Sequence, residues 1–229
     1  MRMAESDPLL PQRASQLNAD VLSVDWLFEP SWPGERLIVR RSAGGIAITN
    51  AAGESVNAEL PEVAGVLEHA LLAQDAVVDG VWTSQPFIGD GSPARAWAET
   101  LAEEGLADEV PDPMETEQRR AFVAIDLIEI DGEPLYDVPL QERRRILESI
   151  VEEDVRVRVS PLVKQPISGW LEGWRLNGFT HFLAKHVNSR YRPGTVCEDW
   201  LEIPVVQARR PGFAQRMFGS RERRRSITD

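Results

Sequence analysis

The chain has 229 residues, of which 42% are hydrophobic and 27% charged, with a formal net charge of −12 and a single cysteine. This composition excludes a disordered or collagen-like chain, and the length is sufficient to bury a substantial core. The sequence contains no run of about 20 apolar residues and no signal peptide, so we expect a soluble, cytoplasmic protein that does not enter a membrane.

The first part of the chain predicts a leader followed by strands and one helix. Gly44 and Gly45 separate two apolar segments, which is typical of a β-hairpin. Pro61 predicts the first turn of a helix, because that position needs no backbone N–H and apolar residues follow at helical spacing. The predicted elements are a flexible leader, a strand, two hairpin strands, a helix and a strand: residues 1–20, 21–28, 36–41, 45–49, 61–72 and 76–82.

The remainder predicts an α+β fold in which antiparallel hairpins alternate with helices, without a boundary between two domains. Asp131 and Gly132 predict a tight turn after a buried strand. Pro166 interrupts an otherwise helical pattern. The predicted elements are a helix, a polar loop, a strand, a helix, a strand, the interrupted helix and two strands: residues 93–104, 105–118, 122–130, 139–151, 155–159, 162–176, 179–184 and 200–206.

Charge is distributed unevenly along the chain. Residues 1–115 carry 20 acidic and 6 basic side chains, which makes this part a poor surface for nucleic acid. The predicted tail, residues 207–229, is instead rich in arginine. It is interpreted either as a solvated tail or as a basic arm that binds DNA or an acidic repair protein. Its seven arginines are Arg209, Arg210, Arg216, Arg221, Arg223, Arg224 and Arg225.

Four segments resemble the adenylation domain of ATP-dependent DNA ligases. FVAIDLIEIDGEPLYDVPLQERRRILESIV resembles the central ligase segment, and GFTHFLAKHVNSRYRPGTVCEDW resembles the family pattern that ends in tryptophan. FEPSWPGERL resembles the nucleophile motif F-E-P-K-W-D-G-x-R, and VVDG resembles the strand motif v-v-L-D-G-E. The resemblance implies an α+β, ATP-grasp-like nucleotidyltransferase domain over residues 21–206, with two antiparallel sheets flanked by helices around a cleft.

The departures from the family pattern fall on the positions that carry its chemistry. The family attacks ATP with a lysine amine to form lysyl-AMP, and that lysine position is Ser31 here. The resemblance therefore implies no catalytic residue. One of the two lysine positions that neutralise phosphate is Glu202, which would repel it. The other departures are Pro33, Val81, Ile125, Thr180, Pro204 and, by a loose alignment, Asn50.

Three retained residues form the predicted nucleotide pocket. The resemblance implies that Lys185 contacts phosphate, that Arg36 lies beside the ribose and that Glu29 lies near the adenine. Each of them also has a purely structural interpretation. The ligand would be ATP or another mononucleotide, with Mg if catalysis remains, and no metal site is predicted because His181, His186 and Cys197 fit no zinc pattern.

These observations leave several functions open. The first is a catalytically inactive ligase-like protein with a binding or regulatory role in DNA repair. The second is a nucleotide sensor that binds without reacting, and the third is residual nucleotidyl transfer from Lys164 or Lys185, the only lysines. A product of a decaying gene is the remaining alternative. We also expect a stand-alone domain, since active ligases continue into an OB-fold domain for which the sequence leaves no room.

Overall fold

A computed structural model describes residues 8–16, 21, 23–84 and 120–205 of the chain. The predicted helix at 93–104, the predicted loop at 105–118 and the arginine-rich tail at 207–229 lie outside these residues. In chain order the elements are β1 (Arg13–Ser15), β2 (Trp26–Pro30), β3 (Glu35–Ser42), β4 (Gly45–Asn50), α1 (Pro61–Ala70), β5 (Ala76–Thr83), β6 (Ala121–Ile130), β7 (Glu133–Pro134), α2 (Leu140–Ile150), β8 (Val157–Val159), α3 (Ser168–Leu176), β9 (His181–His186) and β10 (Val196–Pro204).

The strands form two sheets, as the family resemblance implies. The first sheet has the order β1-β10-β9-β2, and the second has the order β4-β3-β5-β6-β7, with β8 pairing on β6. Most neighbouring strands are antiparallel. The prediction of two antiparallel sheets is thus confirmed for the main order of each sheet, and the short strands β1 and β8 add one parallel pair each, β1–β10 and β6–β8.

Local turn signals fix the two hairpins of the second sheet. Ser42 pairs with Gly45, so the β3–β4 hairpin closes through the two residues Ala43 and Gly44, one position before the predicted pair Gly44-Gly45. Asp131 and Gly132 have φ values of 51° and 77°, the left-handed conformation that a tight hairpin turn requires. The second turn joins β6 to β7 and ends the longest strand of the sheet.

The first two helices pack on the second sheet, and α3 packs on the first. The apolar residues of α1 (Val63, Leu67 and Ala70) are buried, and α2 buries Leu147 and Ile150 in the same core cluster. α3 begins only at Ser168, after Pro166, although helix was predicted from residue 162. Residues that precede a proline are disfavoured in helical conformation, which accounts for the later start. No helix among the described residues is long and apolar enough to cross a membrane.

The amino-terminal segment differs from the prediction. Residues 1–20 were predicted to be a flexible leader, yet Arg13–Ser15 form β1 and pair with β10. The strand predicted to begin at Val21 begins at Trp26. A three-residue edge strand lacks the alternating pattern of a longer one, and its pairing partner lies at the opposite end of the chain.

One apolar cluster joins the two sheets and places the cleft between them. Leu27 and Trp200 come from the first sheet, and Ile38 and Val77 come from the second. All four are almost completely buried. This contact fixes the separation of the sheets at the base of the cleft, so that residues following β2 and residues of β10 face the same space.

Candidate functional site

A cavity of about 610 Å³ lies at the predicted nucleotide cleft. We call it the cleft cavity. Its walls come from the amino-terminal segment 10–14, from the residues around β2 and β3, and from β9 and β10. The side chains that matter for its chemistry are Gln12, Ser31, Arg36, Leu183, Trp200 and Glu202. This volume is within the range of about 300–1,000 Å³ that is typical of small-molecule sites.

Ser31 and Glu202 meet on one wall of the cleft cavity. Ser31 directly follows β2, and its backbone N–H donates to the carbonyl of His181 at 3.0 Å. Its hydroxyl donates to Oε1 of Glu202 at 2.8 Å. The position of the family nucleophile is thus hydrogen-bonded to a position where the family has a phosphate-binding lysine. A serine hydroxyl cannot form a lysyl phosphoramidate, and the carboxylate beside it disfavours an incoming phosphate.

The fold brings Lys185 and Glu29 together, as expected for residues of one pocket. They form an ion pair with each other, however, and do not face the cavity as free ligands. The Nζ of Lys185 lies 2.5 Å from Oε1 of Glu29, and both side chains are fully buried. The ammonium also lies over the Trp200 ring, 3.7 Å from its centroid. Burial lowers the pKa of Lys185 below its ordinary value, while the carboxylates of Glu29 and Asp126 act in the opposite direction. The lysine is therefore enclosed by its partners and is not exposed to the cleft cavity.

Arg36 lines the cleft cavity and is held by Asp79. Its Nε and Nη2 lie 2.5 and 2.8 Å from the two carboxylate oxygens, a bidentate ion pair. The arginine side chain is 24% exposed, whereas Asp79 is completely buried. The guanidinium charge is compensated within the protein, and only part of its donor edge remains open to a ligand.

Two residues that the sequence did not assign to the site hold this pair in place. The Tyr191 hydroxyl donates to Oδ2 of Asp79 at 2.7 Å, and the backbone N–H of Gln12 donates to the Tyr191 oxygen at 3.1 Å. Burial, together with the Asp79 carboxylate, raises the pKa of Tyr191 well above its ordinary value. Tyr191 belongs to a segment that matches a family motif, so the sequence contained a signal that could have assigned it to the site. Gln12 carried none, because its segment resembled a leader.

A second buried ion pair lies behind the site and supports it. Arg143 of α2 donates from Nε and Nη2 to the two oxygens of Asp126, at 2.9 and 2.7 Å, and neither side chain is exposed. Arg143 also donates to the carbonyls of Val138 and Ser189. These contacts tie α2 to β6 and to the loop after β9. They explain structurally why family-like residues stand at Asp126 and Arg143.

The remaining departures from the family pattern are of two kinds, and three of them, Pro33, Thr180 and Pro204, lie exposed at the surface. Val81 and Ile125 are almost completely buried in the second sheet. Asn50 closes the turn after β4 by accepting from Ala52 and donating to Glu54. Among the described residues, no group of three or more His, Cys, Asp or Glu side chains is arranged to hold a metal ion. The arginine-rich segment 209–225 lies outside the described residues.

Comparisons with known proteins identify the same family that the four sequence segments resemble. Residues 8–203 match the ATP dependent DNA ligase domain. A DNA ligase of Thermococcus onnurineus is 26% identical over 209 residues, covering 86% of this chain and 35% of the ligase. The multifunctional non-homologous end joining DNA repair protein LigD of Mycobacterium tuberculosis is 27% identical over 202 residues, covering 88% of this chain and 24% of LigD.

A solved structure supports this assignment at the level of the fold. Mycobacterial DNA ligase D complexed with ATP and MES superposes with a TM-score of 0.62 at 27% identity, covering 85% of this chain and 59% of that one. The chain thus spans only part of the length of each of these relatives. The match begins at residue 8, so the segment that contains β1 is part of the family domain. The chain belongs to the ATP-dependent DNA ligase domain family.

Proposed function

We propose that this chain is a ligase-family domain that does not form lysyl-AMP and that acts by binding rather than by catalysis. The hydrogen bond between Ser31 and Glu202 is the observation that carries this proposal. Covalent nucleotidyl transfer in this family requires an amine at the first position and cationic neutralisation of phosphate near the second. Here the first position holds a weakly nucleophilic hydroxyl and the second an anion.

The state of the remaining cations supports the same conclusion. Lys185 is buried against Glu29, and Arg36 is clamped by Asp79. A nucleotide that used both cations would have to displace Glu29 and Asp79 from them, and each buried carboxylate would lose its closest cation. Breaking a buried ion pair in this way costs about 3–5 kcal/mol. Residual transfer from Lys185 and tight sensing of ATP are both less well supported for this reason.

Self-adenylation is the direct test. The full chain is incubated with α-labelled ATP and Mg or Mn, resolved by denaturing electrophoresis, and compared with an active family ligase as the positive control. We expect label on the control and none on this chain. A labelled band that disappears in Lys185→Ala or Lys164→Ala would contradict the proposal and identify the substitute nucleophile.

We propose further that the binding role belongs to DNA repair. The support is the family itself, the similarity to LigD, a multifunctional non-homologous end joining DNA repair protein, and the seven arginines between residues 209 and 225. A segment that neutralises phosphates releases counterions, so its affinity for DNA falls steeply with salt. Titration of nicked and intact duplexes at several salt concentrations measures this slope. Replacing the seven arginines with glutamine should flatten it, and an unchanged slope would exclude the segment.

The nucleotide-sensor alternative predicts a different result. A ligand that binds only the folded state raises the melting temperature as its concentration rises. We expect ATP to leave the melting temperature of the full chain unchanged. A rise that grows with ATP concentration and is lost in Arg36→Ala would favour the sensor instead.

A further inference from the structure

The segment that precedes β1 runs along the cleft cavity from one sheet to the other. We call residues 8–12 the strap. Its carboxyl end is anchored in the first sheet, because the next residues, Arg13–Ser15, pair with β10. Its amino end lies on the turn after β4 of the second sheet, where a Cβ atom at Gly53 would be only 2.5 Å from the Cβ of Pro8. Between these two points, residues 10–12 line the cavity.

Hydrogen bonds hold the strap in place, with little help from apolar burial. The backbone N–H of Gly194 donates to the Leu10 carbonyl at 3.0 Å. The side-chain oxygen of Gln12 accepts from the backbone N–H of Arg192, and the backbone N–H of Gln12 donates to the Tyr191 oxygen at 3.1 Å. Both leucines of the strap are only partly buried. Segments with few buried apolar contacts open at a lower free energy than that of global unfolding.

The Gln12 side chain makes the closed position of the strap less favourable. It is 1% exposed, and its Nε2 has no hydrogen-bond partner in the part of the chain that the structure describes. A buried donor without a partner is unfavourable, and water would satisfy it once the strap leaves. Pro8 and Pro11 restrict the backbone of the strap, which favours its movement as one unit.

Buried contacts connect the strap to the arginine that lines the cavity. The Tyr191 hydroxyl that accepts from the strap donates to Asp79 at 2.7 Å. Asp79 in turn holds Arg36, which lines the cavity. The buried members of the apolar cluster that joins the two sheets all lie outside the strap, so the sheets stay joined when the strap leaves.

We infer that the strap is a gate for the cleft cavity. It opens as a unit about β1 while both sheets stay folded, and it gives solutes access to Ser31 and Arg36. A gate of this kind acts on any occupant of the cavity. It therefore goes beyond the proposed function and does not depend on whether the chain forms lysyl-AMP.

Hydrogen exchange measured by NMR on the full chain tests the opening directly. The hydrogen bonds of the strap protect the amides of Gln12, Arg192 and Gly194. We expect these amides to exchange with one common protection factor, about a hundredfold or more below that of the amides in the central strand β5. Protection equal to that of β5 would overturn the inference, because the strap would then open only when the domain unfolds.

A matched pair of glycine variants tests the contact between the strap and the second sheet. Gly53→Ala should loosen the strap, because the new methyl group clashes with Pro8. Gly132→Ala is the control: the two glycines have φ values of 83° and 77°, so both changes strain the backbone alike, but nothing lies within 4 Å of a Cβ atom at Gly132. Relative to β5, the protection of the strap amides should fall about tenfold in Gly53→Ala and stay unchanged in Gly132→Ala.

Cysteine reactivity tests whether the opening admits solutes. Leu183 lines the cavity and is 7% exposed, whereas the neighbouring Ala184 is fully buried on the opposite face of β9. Leu183→Cys and Ala184→Cys are each combined with Cys197→Ser and treated with a water-soluble aromatic disulfide. We expect Leu183→Cys to react faster than Ala184→Cys. Adding Gly53→Ala should accelerate the first reaction about tenfold more than the second.

Equal rates for the two thiols, or equal acceleration of both, would show that the strap does not control access and would overturn the inference. Self-adenylation, measured separately with α-labelled ATP, decides the proposed function. Label on a chain whose strap opens would reject only the proposed function. Absence of label on a chain whose strap stays closed would reject only the gate.

Discussion

Lys185 and Glu29 form a fully buried ion pair on adjacent strands of the first sheet, with 2.5 Å between Nζ and Oε1. In the sequence both residues resemble ligands of a nucleotide. In the structure each is the other's partner, and the Trp200 ring covers the ammonium. Loss of either residue would leave a charge buried in the core without its partner, which is a structural reason for keeping both.

This pairing predicts a large stability effect for removing one partner. Glu29→Gln leaves the Lys185 ammonium buried without its counterion, and we expect about 3–5 kcal/mol less free energy of unfolding. Urea denaturation measures the change. The double variant Glu29→Gln/Lys185→Met should lose less than the sum of the two single variants, because the residues interact directly.

The matched control is the exposed pair between Glu142 and Arg145 on α2. Glu142→Gln should produce no measurable change, because a solvated ion pair contributes little. Strict additivity in the buried double variant, or a single-variant loss as small as that of the control, would show that Glu29 and Lys185 are not coupled in the folded protein.

The hydrogen bond from Tyr191 to Asp79 predicts a pH-dependent contribution to stability. Tyr191→Phe removes a donor from a buried carboxylate, so the free energy of unfolding should fall by about 1–3 kcal/mol at neutral pH. The folded-state pKa of Tyr191 is raised, so its contribution is present below the ordinary value and is lost as the pH rises above about 10.

The wild-type protein should therefore lose stability more steeply than Tyr191→Phe in that alkaline range. Urea midpoints determined at intervals between about pH 8 and pH 11 give both curves. Tyr136→Phe, at the only other tyrosine, is the matched control. Parallel curves for the wild type and Tyr191→Phe would mean that the hydroxyl titrates equally in the folded and unfolded states.

Local sequence signals predict most of the fold. The features that the sequence analysis missed depend on contacts between residues that are far apart in the chain. The hairpin after Ser42 and the turn at Asp131 were predicted correctly because each depends on the conformation of two neighbouring residues. β1 was missed because its stability comes from pairing Arg13 with Val196, a relationship that no window of sequence contains. The role of Gln12 was missed for the same reason.

At the site, the sequence identified the positions but not their partners. Ser31 and Glu202 were recognised separately as departures from the family pattern, and only the fold shows that they bind each other. Arg36 was recognised as a retained residue, yet its pairing with Asp79 depends on the register between β3 and β5. Whether Glu29, Arg36 and Lys185 ever bind a nucleotide stays a prediction.

Arg36 offers a test that separates a structural from a ligand-binding role. Arg36→Ala strands the buried Asp79 carboxylate, so the free energy of unfolding should fall by about 2–3 kcal/mol, less than for a wholly buried pair because the arginine is partly exposed. The variant Arg36→Ala/Asp79→Asn should recover part of this loss. Failure of the second change to recover any stability would argue that Arg36 persists for a reason other than its pairing with Asp79.

Placing a lysine at Ser31, the position of the family nucleophile, provides a test of the role of Glu202. Ser31→Lys alone should not produce self-adenylation, because the new ammonium would lie beside the Glu202 carboxylate and form an ion pair that keeps it protonated and unreactive. Ser31→Lys/Glu202→Lys removes that partner and adds a phosphate-binding cation, so any label from α-labelled ATP should appear first in the double variant. Glu198→Lys in place of Glu202→Lys adds the same charge outside the cleft and serves as the control. Label in Ser31→Lys alone would show that Glu202 does not block the chemistry and that the missing amine is its only defect.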